Sequence, residues 1–212
     1  MRKFLVAALV CLAPSCGSLP LRNDPASTDF YGMEPGLERI YKSRFPVCGK
    51  PHSHYMRKIV ARTLSLPGGK AVVVDVAFDT GSNLGLHGIP ETSSEVFTEN
   101  GAGFGFYDLK PNEQPQAADP KRIEIEIPKP VTPGTRLKFD QGEVILEAIE
   151  DLVVAAGRFA GCIRVRTQFK DDANVFWFAP GVGMIRGYSE SKAADGGPKM
   201  AFELLKLSRP TN

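Results

Sequence analysis

The chain has little charge of either sign to spare. Over 212 residues, 26 Lys and Arg stand against 24 Asp and Glu, leaving a formal net charge of +2. No extended field of one sign therefore argues for nucleic acid or an acidic substrate. Long hydrophobic runs are also missing. The greasiest stretch, residues 4–13, is about ten residues long and too short to span roughly 30 Å of hydrocarbon as a helix. Beyond it no segment of useful length has the 3.6-residue periodicity of an amphipathic helix. With three histidines in the whole chain, no Ser/His/Asp set suggests itself. No Gly-rich loop precedes a helix to cradle a phosphate, and no basic stretch is interleaved with aromatics. Internal repeats and low-complexity blocks are absent.

What is present is punctuation. Twenty-one Gly and 17 Pro are spread along a chain that is 42% hydrophobic, which suits many short strands and turns in one domain. The organising stretch is residues 137–188. Within it Ile163, Val165 and Thr167 alternate with Arg164, Arg166 and Gln168, the period of a half-buried strand. A polar hairpin loop at residues 170–174 leads to an aromatic strand at residues 175–178. The tight turn Pro180-Gly181-Val182-Gly183 and a return strand follow. Upstream, residues 55–65 and 71–78 pair around Pro67-Gly68-Gly69, and residues 95–98 and 104–109 pair around Asn100-Gly101, both hairpin signals. Residues 38–43 read as a first strand, with a short helix over residues 37–42 as the alternative. In Ile123-Glu124-Ile125-Glu126-Ile127 the alternation predicts isoleucines toward a core and glutamates toward water. Residues 110–120, rich in Pro and Gln, read as a loop, as do residues 189–198. The sum is a mainly β protein with little helix outside the N-terminal leader and roughly nine or ten strands. Such a sheet covers its apolar face by stacking as a sandwich or by curling. The expectation here is a strongly curved antiparallel sheet, an open barrel or half-barrel.

The N-terminus reads as an export signal. Arg2 and Lys3 precede the apolar run, and small residues follow it. Leu12-Ala13-Pro14-Ser15-Cys16-Gly17 resembles a bacterial lipoprotein processing site at which Cys16 is acylated. The alternative is ordinary cleavage near Ala13-x-Ser15, giving a soluble secreted or periplasmic protein. The division expected is a signal peptide over residues 1–15, a lipidated polar tether over 16–29 and a single β-domain over 30–208. Gly17, where no Asp stands, fits delivery to the periplasmic face of an outer membrane.

A wider resemblance rests on the C-terminal half. Ala156-Gly157-x-Phe159, Cys162, a strand centred on Val165 and Trp177-Phe178-Ala179-Pro180-Gly181-Val182-Gly183-Met184-Ile185 resemble the signature of a group of bacterial secreted and lipoprotein β-domains. In that signature Ala155 replaces the usual Pro and Phe178 the usual Tyr. Pro130-Val131-x-Pro133-Gly134-Thr135 resembles the same group's strand entry. The curved sheet is similar in anatomy to lipoprotein-carrier half-barrels. The resemblance implies an envelope location and supplies no activity.

Four constellations invite chemistry. Asp79-Thr80-Gly81-Ser82 resembles the catalytic loop of aspartic proteases, which need a second carboxylate to share one proton. The chain holds no second copy, so a strand-end turn is the commoner reading. Cys48, His52 and His54 could ligate zinc but lack an indicated fourth ligand. Cys48 and Cys162 remain once Cys16 is acylated, and can bridge in an oxidising compartment or stay apart, Cys162 as a small buried hydrophobe. Trp177 with Pro180, Gly181 and Gly183 reads as a structural corner. The expectation is a non-enzymatic envelope binding or structural module with no catalytic residues, metal or cofactor. It would be anchored to membrane by its acyl chains and would bind no nucleic acid; its partner would be an envelope protein or an apolar ligand. A carrier of lipid or another apolar molecule is one alternative and an Asp79 hydrolase another.

Overall fold

Alternating sequence, frequent turn residues and the lack of helical periodicity resolve into strands. The computed structural model describes residues 28–47, 50–66, 69–79, 92–110, 112–115, 123–191 and 200–210. The expected signal peptide, most of the expected tether, Cys16, Cys48 and Thr80-Gly81-Ser82 lie outside the described residues. Among the described residues twelve strands run in chain order: β1 Glu38–Val47, β2 Lys50–Leu66, β3 Gly69–Asp79, β4 Thr92–Glu99, β5 Gly103–Leu109, β6 Glu124–Pro128, β7 Arg136–Phe139, β8 Gly142–Val154, β9 Gly157–Phe169, β10 Asp172–Ala179, β11 Gly183–Ser191 and β12 Met200–Ser208. No helix occurs among the described residues.

All twelve join one antiparallel sheet in the order β6-β5-β4-β3-β2-β1-β12-β11-β10-β9-β8-β7. The chain thus makes two six-strand meanders. One walks outward from β1 to β6, the other walks inward from β7 to β12, and β12 closes on β1. Strand twist accumulates across such a sheet and bulges bend it further. The result is a nearly closed barrel in which β6 packs against β8 across the seam. The edge strands are the two shortest, β7 with four residues and β6 with five, the latter ending at Pro128, a device that discourages edge pairing with other chains.

The expected strongly curved antiparallel sheet is what the structure has, with more strands than anticipated. The extra ones include the short β7, which the sequence signals only as a strand entry. The core fills the barrel. Val72, Val74 and Val76 face inward from β3, and Ile163, Val165, Phe178 and Leu204 come from the far side. A smaller cluster of Ala71, Val73, Val96 and Tyr107, with Leu109 and Ile123 against it, covers the other face of β3. That face explains one correction. Ile125 pairs with Gly105 and crowds the glycine backbones of β5, together with Ile123, so both isoleucines lie toward this outer cluster. Glu126 then falls at a bulge, because Phe104 pairs with Ile127 while Gly105 pairs with Ile125. The extra residue turns Glu126 into the barrel beside the fully buried Ile127. Alternation of type was legible at β6; which face was the wet one was not, and Glu126 does not face open water as expected.

Candidate binding cavity

A cavity of about 320 Å³ opens inside one end of the barrel. Its walls follow from the pleat, since residues i and i+2 of each strand share a face. From β1 come Arg39 and Tyr41; from β2, Met56 and Lys58; from β4, Glu95 and Phe97; from β5, Phe106. The second meander adds Phe176 and Phe178 from β10, Met184 from β11, and Met200 and Phe202 from β12. Five phenylalanines and three methionines therefore form most of the lining. Rigid rings and adaptable thioethers suit an apolar occupant of irregular shape. Gly187, opposite Phe202 on the inner face, has no Cβ because one would stand 2.3 Å from the Phe176 ring.

The segment before β1 contributes the lining from within. The Asp29 carboxylate accepts hydrogen bonds from the backbone N–H groups of Tyr31, Gly32 and Met33, and its carbonyl accepts one from Gly181. This turn drives the Tyr31 ring into the barrel. There it meets Phe97 edge-on at 4.7 Å and Phe104 and Phe178 each at 5.9 Å between centroids, an arrangement that ring quadrupoles favour.

The polar groups of the cavity are few. Tyr31 donates its hydroxyl proton to Glu126 at 3.0 Å. Burial, the largest influence, pushes the Glu126 carboxyl up to about 7; Lys58 and the Tyr31 hydrogen bond oppose this, and Glu95 and Glu124 add to it. Burial, with the neighbouring Glu126 next, also raises the Tyr31 hydroxyl well above its ordinary range. Lys58 reaches Glu95 at 2.6 Å, both side chains largely enclosed, and lies 5.5 Å from the Phe97 centroid. Arg39 is 4% exposed. Its Nη1 donates to the carbonyls of Tyr31 at 2.7 Å and Val182 at 3.0 Å, while its Nε is buried with no hydrogen-bond partner among the described residues. Room for the guanidinium depends on Gly183, whose φ of +95° favours glycine and where a Cβ would sit 2.4 Å from Nη1.

The residues singled out from sequence lie elsewhere. Trp177 stands on the face opposite Phe176 and Phe178, 8% exposed. Its indole donates to Glu150 at 2.8 Å, and it packs against Tyr188 and Arg186. Around it Arg164 and Arg166 share Glu147, and Arg166 also holds Glu190, so the polar face of β9 is a lattice of ion pairs. Pro180, Gly181 and Gly183 form the β10–β11 turn, with positive φ at both glycines. Cys162 carries a free, buried thiol 3.5 Å from the Phe159 carbonyl, and burial pushes it up to about 12. Its pairing with Cys48 lies outside the described residues. Asp79 ends β3 opposite Tyr55. His54 is buried on β2 opposite Ser43, and among the described residues no three His, Cys, Asp or Glu are grouped to hold a metal.

Of the cavity residues, sequence reasoning reached only the aromatic strand that carries Phe176 and Phe178. A signal existed in β1 and β2, where Arg39 sits between Leu37 and Tyr41 and Lys58 between Met56 and Val60. A charge at an inward position of an alternating strand marks either a partner or a site.

No family model matches the chain, and no curated protein matches it. Two solved structures are similar in backbone. A Bacteroides fragilis protein with a YmcC-like fold, designated exported, is 13% identical over 91% of this chain and 100% of its own, with a TM-score of 0.52. A Parabacteroides distasonis protein designated a lipoprotein is 15% identical over 84% and 98%, with a TM-score of 0.45. The first likeness shows the fold.

Proposed function

We propose that this chain is an exported, lipid-anchored, non-enzymatic module of the cell envelope that holds a small, largely apolar molecule inside its barrel. The observation that carries the reading is the cavity lined by Phe97, Phe106, Phe176, Phe178 and Met184. A barrel serving only as a scaffold has no need of such a space, because interiors otherwise pack to the density of organic crystals. At about 320 Å³ the space sits at the low end of the roughly 300–1,000 Å³ of small-molecule sites. The export reading is supported by Arg2, Lys3 and the apolar run before Cys16, and by the designation of the Bacteroides fragilis protein that shares the fold. Acylation of Cys16 would anchor the domain stably only with more than one chain, since a single acyl chain holds marginally. The tether would then present the barrel at the periplasmic face of the outer membrane.

Native mass spectrometry of the protein purified from its own envelope tests the binding reading. A mass excess that denaturation releases as one small species is expected; a protein that is empty in every preparation counts against it. Cys16→Ser should move the chain from the membrane fraction to the soluble one, and an unchanged distribution would remove the anchor.

A further inference from the structure

We infer that the occupant of this cavity is an anionic amphiphile whose negatively charged head is read by Arg39. The inference rests on the binding reading above and deepens it. A guanidinium keeps its charge under all ordinary conditions, and a charge taken out of water is expensive unless it is paired. Arg39 is buried, its hydrogen bonds go to two backbone carbonyls, and its Nε has no partner among the described residues. Register makes the excess sharper. Arg39 stands directly opposite Lys58 on the inner face, and like charges so placed repel. Lys58 is neutralised by Glu95, which leaves Arg39 without a counter-charge among the described residues.

The carboxylates of this end do not fill that role. Glu126 faces Tyr31 from the entering segment, Lys58 from β2, Glu95 from β4 and Glu124 from its own strand, with Arg39 and Tyr41 also lining the space. Its carboxyl, raised by burial to about 7, keeps much of its proton near neutral pH and hydrogen-bonds Tyr31 instead of Arg39. Asp108 and Glu124 stand outside the cavity lining. An arriving carboxylate or phosphate would supply the missing charge at Arg39 and lay its apolar part among Met56, Phe97, Phe176 and Phe202. At roughly 30 Å³ for a water-sized group, the space takes about ten non-hydrogen atoms, an eight-carbon chain with a small head.

Three ligands of one chain length separate the possibilities: octanoate, octan-1-ol and octylammonium, titrated calorimetrically at pH 7 into the full chain carrying Cys16→Ser. Octanoate is expected to bind about tenfold or more tighter than the alcohol, the size of a charge-assisted hydrogen bond, with octylammonium weakest. Arg39→Gln should bring octanoate down to the affinity that variant shows for the alcohol. Because Arg39 also ties two carbonyls together, that variant can fail to fold; the wild-type ranking and Arg39→Lys, which should keep the preference for octanoate, then decide. Alcohol binding as tight as octanoate, or a preference for octylammonium, overturns the anionic head and leaves the cavity reading standing. If none of the three binds, the cavity reading itself falls. An octyl phosphate arm, run beside octanoate, assigns the head to phosphate or carboxylate.

Discussion

Glu126 offers the sharpest energetic test of the interior. In the folded protein its carboxyl holds a proton to about pH 7, against an ordinary value of 4.5. Between those values the native state binds more protons than the unfolded chain, so the stability it confers is full below about 4.5 and is lost as pH rises through 7. At roughly 1.4 kcal/mol per pH unit the displacement is worth about 3 kcal/mol; partial access to water reduces this to about 2 kcal/mol. Glu126→Gln mimics the protonated form and still accepts the Tyr31 hydrogen bond. The variant and wild type should therefore be similar at pH 4.5, and the variant should be more stable by about 2 kcal/mol at pH 8.5, a midpoint difference of about 5 °C. Urea and thermal unfolding, each followed by the emission of Trp177, the single tryptophan, read these two differences. Taking the difference between the two proteins isolates Glu126 from Asp108 and Glu124, whose carboxyls burial also raises. Parallel curves, or a variant less stable at pH 8.5, would refute the enclosed carboxyl.

Other consequences can be measured on the same protein. Gly183→Ala puts a Cβ against Arg39 and the Tyr31 carbonyl at positive φ, and should cost about 2–4 kcal/mol. Gly134→Ala, at a φ of +92° with nothing nearby, should cost about 1 kcal/mol; equal losses in thermal unfolding would deny the close approach at Gly183. Trp177→Phe strands the Glu150 contact and should cost about 1–2 kcal/mol, and wild-type emission should resist acrylamide quenching. Cys162, buried with its thiol raised to about 12, should resist iodoacetamide at pH 8 in the folded Cys16→Ser chain and react after unfolding in the presence of reductant. Rapid alkylation of the native protein would contradict its burial.

Much of the sheet could be read from the chain because the determinants are local. Ile163, Val165 and Thr167 alternate with arginines, and the structure buries the first set and pairs the second with Glu147 and Glu190. Phe176 and Phe178 had to oppose Trp177, and they do. Bulges are different, because an extra residue is defined only by the neighbouring strand. The one at Glu126 turned a side chain that looked solvated into the cavity wall. The turn before β9 falls at Ala155-Ala156, because β8 and β9 stay paired to Val154 and Gly157. The cavity was illegible for the same reason. Arg39 and Met184 are 145 positions apart in the chain, and only the closure of β12 on β1 brings their strands to one space.

The five methionines provide the most direct test of whether the barrel interior accepts a molecule. With methyl carbons labelled, titration by octan-1-ol, which has no charge for Arg39 to read, should shift the Met56, Met184 and Met200 methyl resonances, which line the cavity. Met33, packed on the core outside that lining, should stay in place. Resonances that all remain still, or that move together with Met33, would mean that the interior takes up nothing and that the barrel is not a binding module.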